Sequence, residues 1–360
     1  MTEQPKKILV IRFSSIGDIV LTSPLVRCLK RQLPQVELHF LTKKQNAGIL
    51  TANPYIDQLH LFEGDLKATI RVLKSEQFDF VVDLHSNIRS GIVRKSLAVR
   101  SQVFKKMNLE KWLFTTFKMN RLKGQHIVDR YLKTVEELGV VNDGEGLDFF
   151  IANDQQVDLQ KELPKLSKLP ELSLSSVTLS EKRPVDLEPF VAYGIGALHA
   201  TKRLPTNKIV ELLRQIQRPV LLLGGPNDSA RAEDILEALQ SSKSHEDVVI
   251  HKVVNVCGKY TLQQSSSILQ QAEWVICHDS ALMHISAALN KKIALLWGNT
   301  HPDFGMYPYP KNSDSIAHNF EVDGLSCRPC SKIGYESCPK KHFKCMNEQN
   351  LNEIAQLVNH

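Results

Sequence analysis

The chain has 360 residues, 42% hydrophobic and 23% charged, with a formal net charge of +6. That composition is ordinary for a globular protein, and the length suits two domains that each bury a core. No stretch approaches the roughly 18 apolar residues of a membrane span. The residues from Met1 to Ile11 lack a long apolar run with a small-residue cleavage site, so a cytoplasmic protein is expected.

Lys7 to Phe13 (KILVIRF) reads as a buried strand, followed by the turn Ser14 to Asp18 and a helical pattern from Ile19 to Leu33 that stops at Pro34. Further strands are expected at Val36–Leu41, Ile56–Phe62 and Phe78–Leu84, separated by helices. Residues 126–139 form an amphipathic helical pattern ending at Gly139, and residues 152–186 read as a polar linker. The alternation then restarts. Strands are expected at Phe190–Tyr193, Pro219–Leu223, Glu273–Cys277 and Lys292–Trp297. Helices are expected at Thr206–Gln217, Ser229–Leu239, Ala281–Leu289 and 350–358. Alternating strands and helices give parallel, doubly wound sheets, whose ligands sit beyond the carboxyl ends of the strands.

Charge is concentrated in residues 89–130, which hold eleven Lys or Arg against Glu110 and Asp129. A solvated helix face is one reading, and a site for a phosphate-bearing partner is the other. Trp112, Phe114 and Phe117 lie in the same stretch, which also suits contact with a membrane surface.

Three segments carry chemistry. In Ser14-Ser15-Ile16-Gly17-Asp18, hydroxyls, a glycine and a carboxylate lie between a strand and a helix start that presents free N–H groups. A first-turn acid that only complements the helix dipole is the structural alternative for Asp18. In Cys277 to His284, a strand ends at Asp279 and Ser280, and a helix begins at once. Its first N–H groups, at Ser280, Ala281 and Leu282, suit a pyrophosphate, with His284 near the same turn. A capping Asp-Ser pair and a packed His are the alternative. In Gly194 to Pro205, a Gly-rich strand exit leads to Thr201, Lys202 and Arg203, a hydroxyl and two cations suited to a diphosphate, or else a solvated basic turn. There is neither a Gly-x-Gly-x-x-Gly fingerprint nor a P-loop.

Taken in order, these segments resemble glycosyltransferase family 9, the ADP-heptose:lipopolysaccharide heptosyltransferases. KKILVIRFSSIGDIVLTSPLVRCLK is similar to the family's opening signature, ATKRLP to its donor-phosphate loop, LLLGGPND to its Gly-Gly loop, and HDSALMHISAALNKKIALLWGNT to its Asp-Thr/Ser-Gly-x-x-His segment. The resemblance implies a GT-B fold, with two Rossmann-like doubly wound domains facing a central cleft. The expected domains are 1–165 on the acceptor side and 166–345 for the nucleotide-sugar, with a closing helix in 346–360 packing back on the first. It also implies inverting, metal-independent transfer of a heptose or related sugar from an ADP-sugar to an inner-core lipopolysaccharide or similar lipid-linked acceptor, at the inner face of the cytoplasmic membrane. No cofactor is required for that chemistry, and nucleic acid is not an expected partner.

On this reading Asp18 is the base, and Lys202 meets the departing diphosphate. Ser15, Gly17, Thr201, Arg203, Asp228, Asp279, Ser280, Ala281 and His284 complete the donor site. Ala281 stands where the family's segment carries Gly. His85, Asn87, Arg89 and Arg94 are expected to meet an anionic acceptor. A nucleotide-sugar epimerase or hydrolase of the same fold, and a non-catalytic sugar-nucleotide-binding protein, are the alternatives. Lastly, Cys327, Cys330, Cys338 and Cys345, spaced C-x2-C-x7-C-x6-C, could hold a structural zinc, with disulfides or free thiols as the other readings.

Overall fold

The computed structural model describes residues 4–122, 124–162, 188–241, 252–309 and 317–360. The first lobe contains β1 (Lys7–Ile11), α1 (Ile16–Val20), α2 (Ser23–Gln32), β2 (Glu37–Lys43), β3 (Gln58–Phe62), α3 (Leu66–Ser75), β4 (Phe80–Asp83), α4 (Ile88–Leu97), β5 (Arg100–Val103), α5 (Asn108–Phe117), α6 (Ile127–Leu132) and α7 (Leu159–Glu162). Its five strands are parallel, in the order β3-β2-β1-β4-β5. The second lobe contains β6 (Val191–Gly194), α8 (Thr206–Leu213), β7 (Val220–Leu223), α9 (Ser229–Gln240), β8 (Val253–Asn255), α10 (Leu262–Gln271), β9 (Trp274–His278), α11 (Ala281–Ala288), β10 (Lys292–Leu296), β11 (Ala317–Phe320), α12 (Lys344–Asn347) and α13 (Leu351–Asn359). Its six strands are also parallel, in the order β11-β10-β9-β6-β7-β8.

Parallel strands covered on both faces need continuous apolar runs. β1, β4, β7 and β10 have them, and Ile8 to Ile11, Phe80 to Val82, Val220 to Leu223 and Ile293 to Leu296 are buried. This is the two-lobed GT-B arrangement expected from the sequence. One apolar cluster runs between the lobes, joining Ile8, Val10 and Ile19 of the first to Ala192, Met283 and Ile285 of the second.

Several boundaries differ from the sequence expectation. The expected helix Ile19–Leu33 is two helices, with the first turn starting at Ile16 and a break at Leu21–Thr22. Pro24 sits at the start of α2, where its missing N–H costs no helical bond. The pattern at 126–139 gives only α6 and a 3-10 turn at Glu136–Leu138, closed by Gly139 at φ 77°. In the expected linker, residues 152–162 dock on α10: the Ala152 and Val157 amides donate to Gln263 Oε1 and Ser267 Oγ at 3.0 Å each. The remainder of that linker, with the expected domain boundary at 165–166, lies outside the described residues. The closing helix needs correction. Leu351, Ile354, Ala355 and Val358 of α13 enter the second lobe's core beside α8, not the first lobe.

Candidate active site

The first wall of the cleft is built where β1 ends. The Arg12 side chain is buried, donates to the Leu84 carbonyl and lies over the Tyr131 ring, 5.8 Å from its centroid. Its other terminal nitrogen meets Asp18 Oδ1 at 2.8 Å. Asp18 Oδ2 accepts from the Ser15 amide at 3.1 Å and the Ser15 hydroxyl at 2.6 Å. Burial pushes the Asp18 carboxyl up, but the Arg12 charge and the Ser15 hydrogen bonds outweigh it and hold the group below the usual carboxylate range.

The second wall joins three loops of the other lobe. Lys202 Nζ pairs with Asp279 Oδ2 at 2.7 Å, and the Thr300 hydroxyl donates to the same oxygen at 2.8 Å. Burial opposes ionisation of Asp279, and Lys202 and Thr300 overcome it, so its carboxyl is lowered. Arg203 lies 3.9 Å from Asp228, whose Oδ2 accepts from the Gly225 amide at 3.0 Å. The Asp228 carboxylate fills the space beside Gly196 and Gly224, where a Cβ would collide with it. His278 is fully buried, and its Nε2 accepts from the Leu204 amide at 3.0 Å, which fixes the loop just past Arg203. Burial and the nearby Arg231 push its imidazole down to about 3, so the ring is a neutral acceptor.

The two walls meet. A Cβ built on Gly17 would lie 2.8 Å from His284 Cδ2 and 3.5 Å from Ala281 Cα, so α1 abuts the start of α11. Ser280 is the N-cap of α11, yet its hydroxyl makes no capping bond. Ser280 Oγ, His284 Nδ1 and both side-chain polar atoms of Asn299 are buried without a hydrogen-bonding partner among the described residues. Such atoms beside a helix start suit a polar ligand. Burial, tempered by Asp279 and Asp18, brings His284 down to about 4.

Not every expected residue is free for a ligand. Thr201 is buried, and its hydroxyl donates to the Tyr335 carbonyl at 3.0 Å and accepts the Tyr335 amide at 2.8 Å. It therefore anchors the Cys-rich segment under the Lys202 loop. Asn87 caps α4 by accepting from the Ser90 amide at 2.8 Å. Arg94 points to Asp83 (4.0 Å) and donates to Ser101 Oγ (3.3 Å), holding α4 to the sheet. Arg89 lies over the Phe62 ring, 4.9 Å from its centroid. His85 stacks edge-on against Phe13, and burial with the Arg12 and Lys106 charges lowers it to about 4.

The basic stretch divides. Arg100 pairs with Glu137 at 3.2 Å, and Lys118 donates to the Cys327 and Pro329 carbonyls of the other lobe at 3.1 and 2.9 Å. Lys111 is half-buried in reach of the Asp18 field, where burial and Arg130 bring it down to about 8. Lys106 is lowered too, by burial and Arg12. Lys123 lies outside the described residues. Arg12, Thr300, Asn299 and His278 went unmarked in the sequence reading. Arg12 is hidden inside an apolar strand run, His278 is the last residue of β9, and Asn299 and Thr300 follow β10; only the fold brings these strand ends together.

No disulfide joins the four clustered cysteines, nor Cys28, Cys257 or Cys277. Burial and the neighbouring Cys327 push Cys330 up to about 11. Among the described residues, the group of three side chains that could hold a metal ion is His39, His60 and Glu76.

Neither wall is a site alone; facing each other, they have the layout of a GT-B glycosyltransferase, in which bond exchange takes place between lobes. Residues 66–334 match the model of "Glycosyltransferase family 9 (heptosyltransferase)". The chain belongs to that family. It is 24% identical over 311 residues to lipopolysaccharide heptosyltransferase 2 of Salmonella typhimurium, covering 83% of this chain and 84% of that one. Among solved structures it is similar to a family 9 glycosyltransferase from Veillonella parvula, at TM-score 0.68 and 20% identity over 99% of this chain and 97% of the other. It is also similar to the E. coli ADP-heptose LPS heptosyltransferase II, at TM-score 0.65 and 19% identity over 97% and 99%.

Proposed function

We propose that this enzyme moves a heptose, or a closely related sugar, from an ADP-sugar to a lipopolysaccharide inner-core or similar lipid-linked saccharide, with inversion and without a metal. The donor and acceptor classes are those that its heptosyltransferase relatives are named for. One observation carries the residue roles: ionised Asp18 of one lobe stands at the start of α11 in the other, near the Lys202–Asp279 pair.

In this reading the acceptor hydroxyl attacks the anomeric carbon as its proton passes to Asp18. The carbon–oxygen bond to the diphosphate breaks on the opposite face. A base must be vacant to accept a proton, and Arg12 keeps Asp18 ionised. Its low proton affinity fits a transfer that occurs late, after the attacking oxygen has become acidic. Lys202 and the first amides of α11 meet the charge that grows on the diphosphate. Asp279 holds Lys202 in place, and Asp228 is our choice for the nucleoside end. Ser15 positions Asp18 rather than touching the donor.

The acceptor side is read at Lys106, Lys111 and His85, which feel the charge of Asp18. No helix among the described residues is long and apolar enough to cross a membrane. Peripheral attachment to the inner face of the cytoplasmic membrane is our reading of α5, which leaves several large apolar side chains uncovered. Leu109, Trp112 and Phe117 are 65%, 52% and 57% exposed, while Phe114 packs on Phe304 of the other lobe and Lys111 turns inward.

For the cysteines, a structural zinc rests on their C-x2-C-x7-C-x6-C spacing; no three of the four thiols stand within metal-binding reach of one another, so binding would have to draw them together. Metal analysis of protein purified without added zinc tests it, and a stoichiometry near zero removes it.

The donor reading is tested by a thermal-shift series with ADP-, UDP-, GDP- and CMP-sugars. A nucleotide-sugar that binds the folded chain raises its unfolding midpoint by mass action. Stabilisation by ADP-sugars alone supports it, and preference for another nucleotide overturns it.

A further inference from the structure

At the end of the first lobe remote from the cleft, the amino-terminal ends of β1, β2 and β3 meet the end of α3. His39 on β2 and His60 on β3 are both buried, with His39 Nδ1 2.8 Å from His60 Nε2. Glu76 caps α3 beside them, and one ligand atom from each of the three lies within 4.8 Å of the others. Phe78 packs edge-on against both rings and closes the apolar side. Nothing in the transfer chemistry uses these groups. Two imidazoles and a carboxylate gathered in an apolar niche are the donor set of a borderline transition-metal ion.

We propose that His39, His60 and Glu76 bind one divalent transition-metal ion of the zinc type, as a structural staple of the first lobe. The outer partner that such sites need is present. Glu37 accepts from His39 Nε2 at 2.7 Å, which orients the ring and leaves Nδ1 with its lone pair. His60 then needs only to carry its proton on Nδ1 for Nε2 to bind. Three protein ligands leave a fourth position for water. Lys7 is the internal competitor: its ammonium lies 3.2 Å from both Glu76 and Glu37. Metal entry releases Glu76 from Lys7, while Glu37 retains it. No bond is made or broken covalently, and no oxidant is involved. The Glu76 and Lys7 side chains, each roughly a quarter exposed, mark the route in.

The test is Co2+ and Zn2+ titration of the full chain after stripping with chelator. Co2+ bound here gives visible bands of nitrogen and oxygen ligation, without the sulfur charge transfer of a cysteine site. The expected result is one such equivalent, lost in His60→Gln. Glu37→Gln should weaken it by about 10–100-fold, and Lys7→Met should tighten it by removing the competitor. The Lys7→Met result stands even if His60→Gln does not fold. An unchanged equivalent in folded His60→Gln, cobalt found only on thiolates, or no tightening in Lys7→Met overturns the proposal. The sugar-nucleotide series reads the opposite end of the molecule, so either reading can fail without the other.

Discussion

Gly17 of the first lobe and His284 of the second are in contact across the cleft, and the contact leaves no room for a methyl group on Gly17. Gly17 is half of the reason that Asp18 can stand at the start of α11. Gly17→Ala puts a Cβ 2.8 Å from a buried ring, and forcing such an overlap costs about 1–3 kcal/mol. Calorimetry should show that loss in Gly17→Ala, largely recovered in the Gly17→Ala/His284→Ala double variant relative to His284→Ala alone. A Gly17→Ala protein as stable as wild type would show that the lobes do not pack this way.

Arg12 sets the ionisation of Asp18. The folded carboxyl lies below its ordinary value, so this pair contributes stability above the unfolded carboxylate range and loses it as pH falls through the lowered value. The acid limb of kcat should therefore lie below the usual carboxylate range. In Arg12→Met, only the Ser15 hydrogen bonds still oppose burial, and the limb should move toward neutral pH. A pH–rate profile of the two proteins checks this, and an unmoved limb would separate Arg12 from Asp18.

Lys202 and Asp279 should behave as a unit. Lys202→Met removes the cation proposed to meet the departing diphosphate and should lower kcat by about 10²–10³-fold, the usual effect of losing one such donor. Asp279→Asn should lower it less, because Thr300 still holds the side chain. The double variant should fall short of the product of the two, since neighbours in one ion pair are not additive. Steady-state kinetics with a saturating acceptor measures all three.

The exposed aromatics of α5 give a prediction about lipid. Trp112→Ala and Phe117→Ala should each weaken binding to vesicles containing anionic lipid by roughly tenfold, about 1.5 kcal/mol per buried aromatic. Turnover on a delipidated, soluble acceptor should not change. Flotation of wild type and variants with anionic and zwitterionic vesicles checks it, and equal flotation would remove α5 as the contact.

The sheets were legible because parallel strands buried on both faces read as unbroken apolar runs, as in KILVI and VLLL. The strands missed, Arg100–Val103, Val253–Asn255 and Ala317–Phe320, have three or four residues each and lie on sheet edges; exposed or half-exposed polar side chains erase the pattern in the first and last, and Val253–Asn255 is only three residues long. The apolar stripe of α13 told that it packs, but not on which lobe, since a stripe carries no address. At the site, Asp18 and Lys202 could be read from strand ends followed by helices. Thr201, Asn87 and Arg94 looked equally available in the sequence, yet each is satisfied by its own fold: Tyr335, the Ser90 amide, and Asp83 with Ser101. A polar residue near a cleft and one that faces it differ only in such partners, which tertiary structure alone supplies.

The central claim is that Asp18 is the base, held ionised on one wall while the donor binds the other. Asp18→Asn, which preserves shape and removes the proton acceptor, tests it most directly. Donor affinity by calorimetry should stay near wild type, while turnover falls by about 10²–10⁴-fold, the usual contribution of a general base. Turnover close to wild type in a variant that binds donor normally would contradict it.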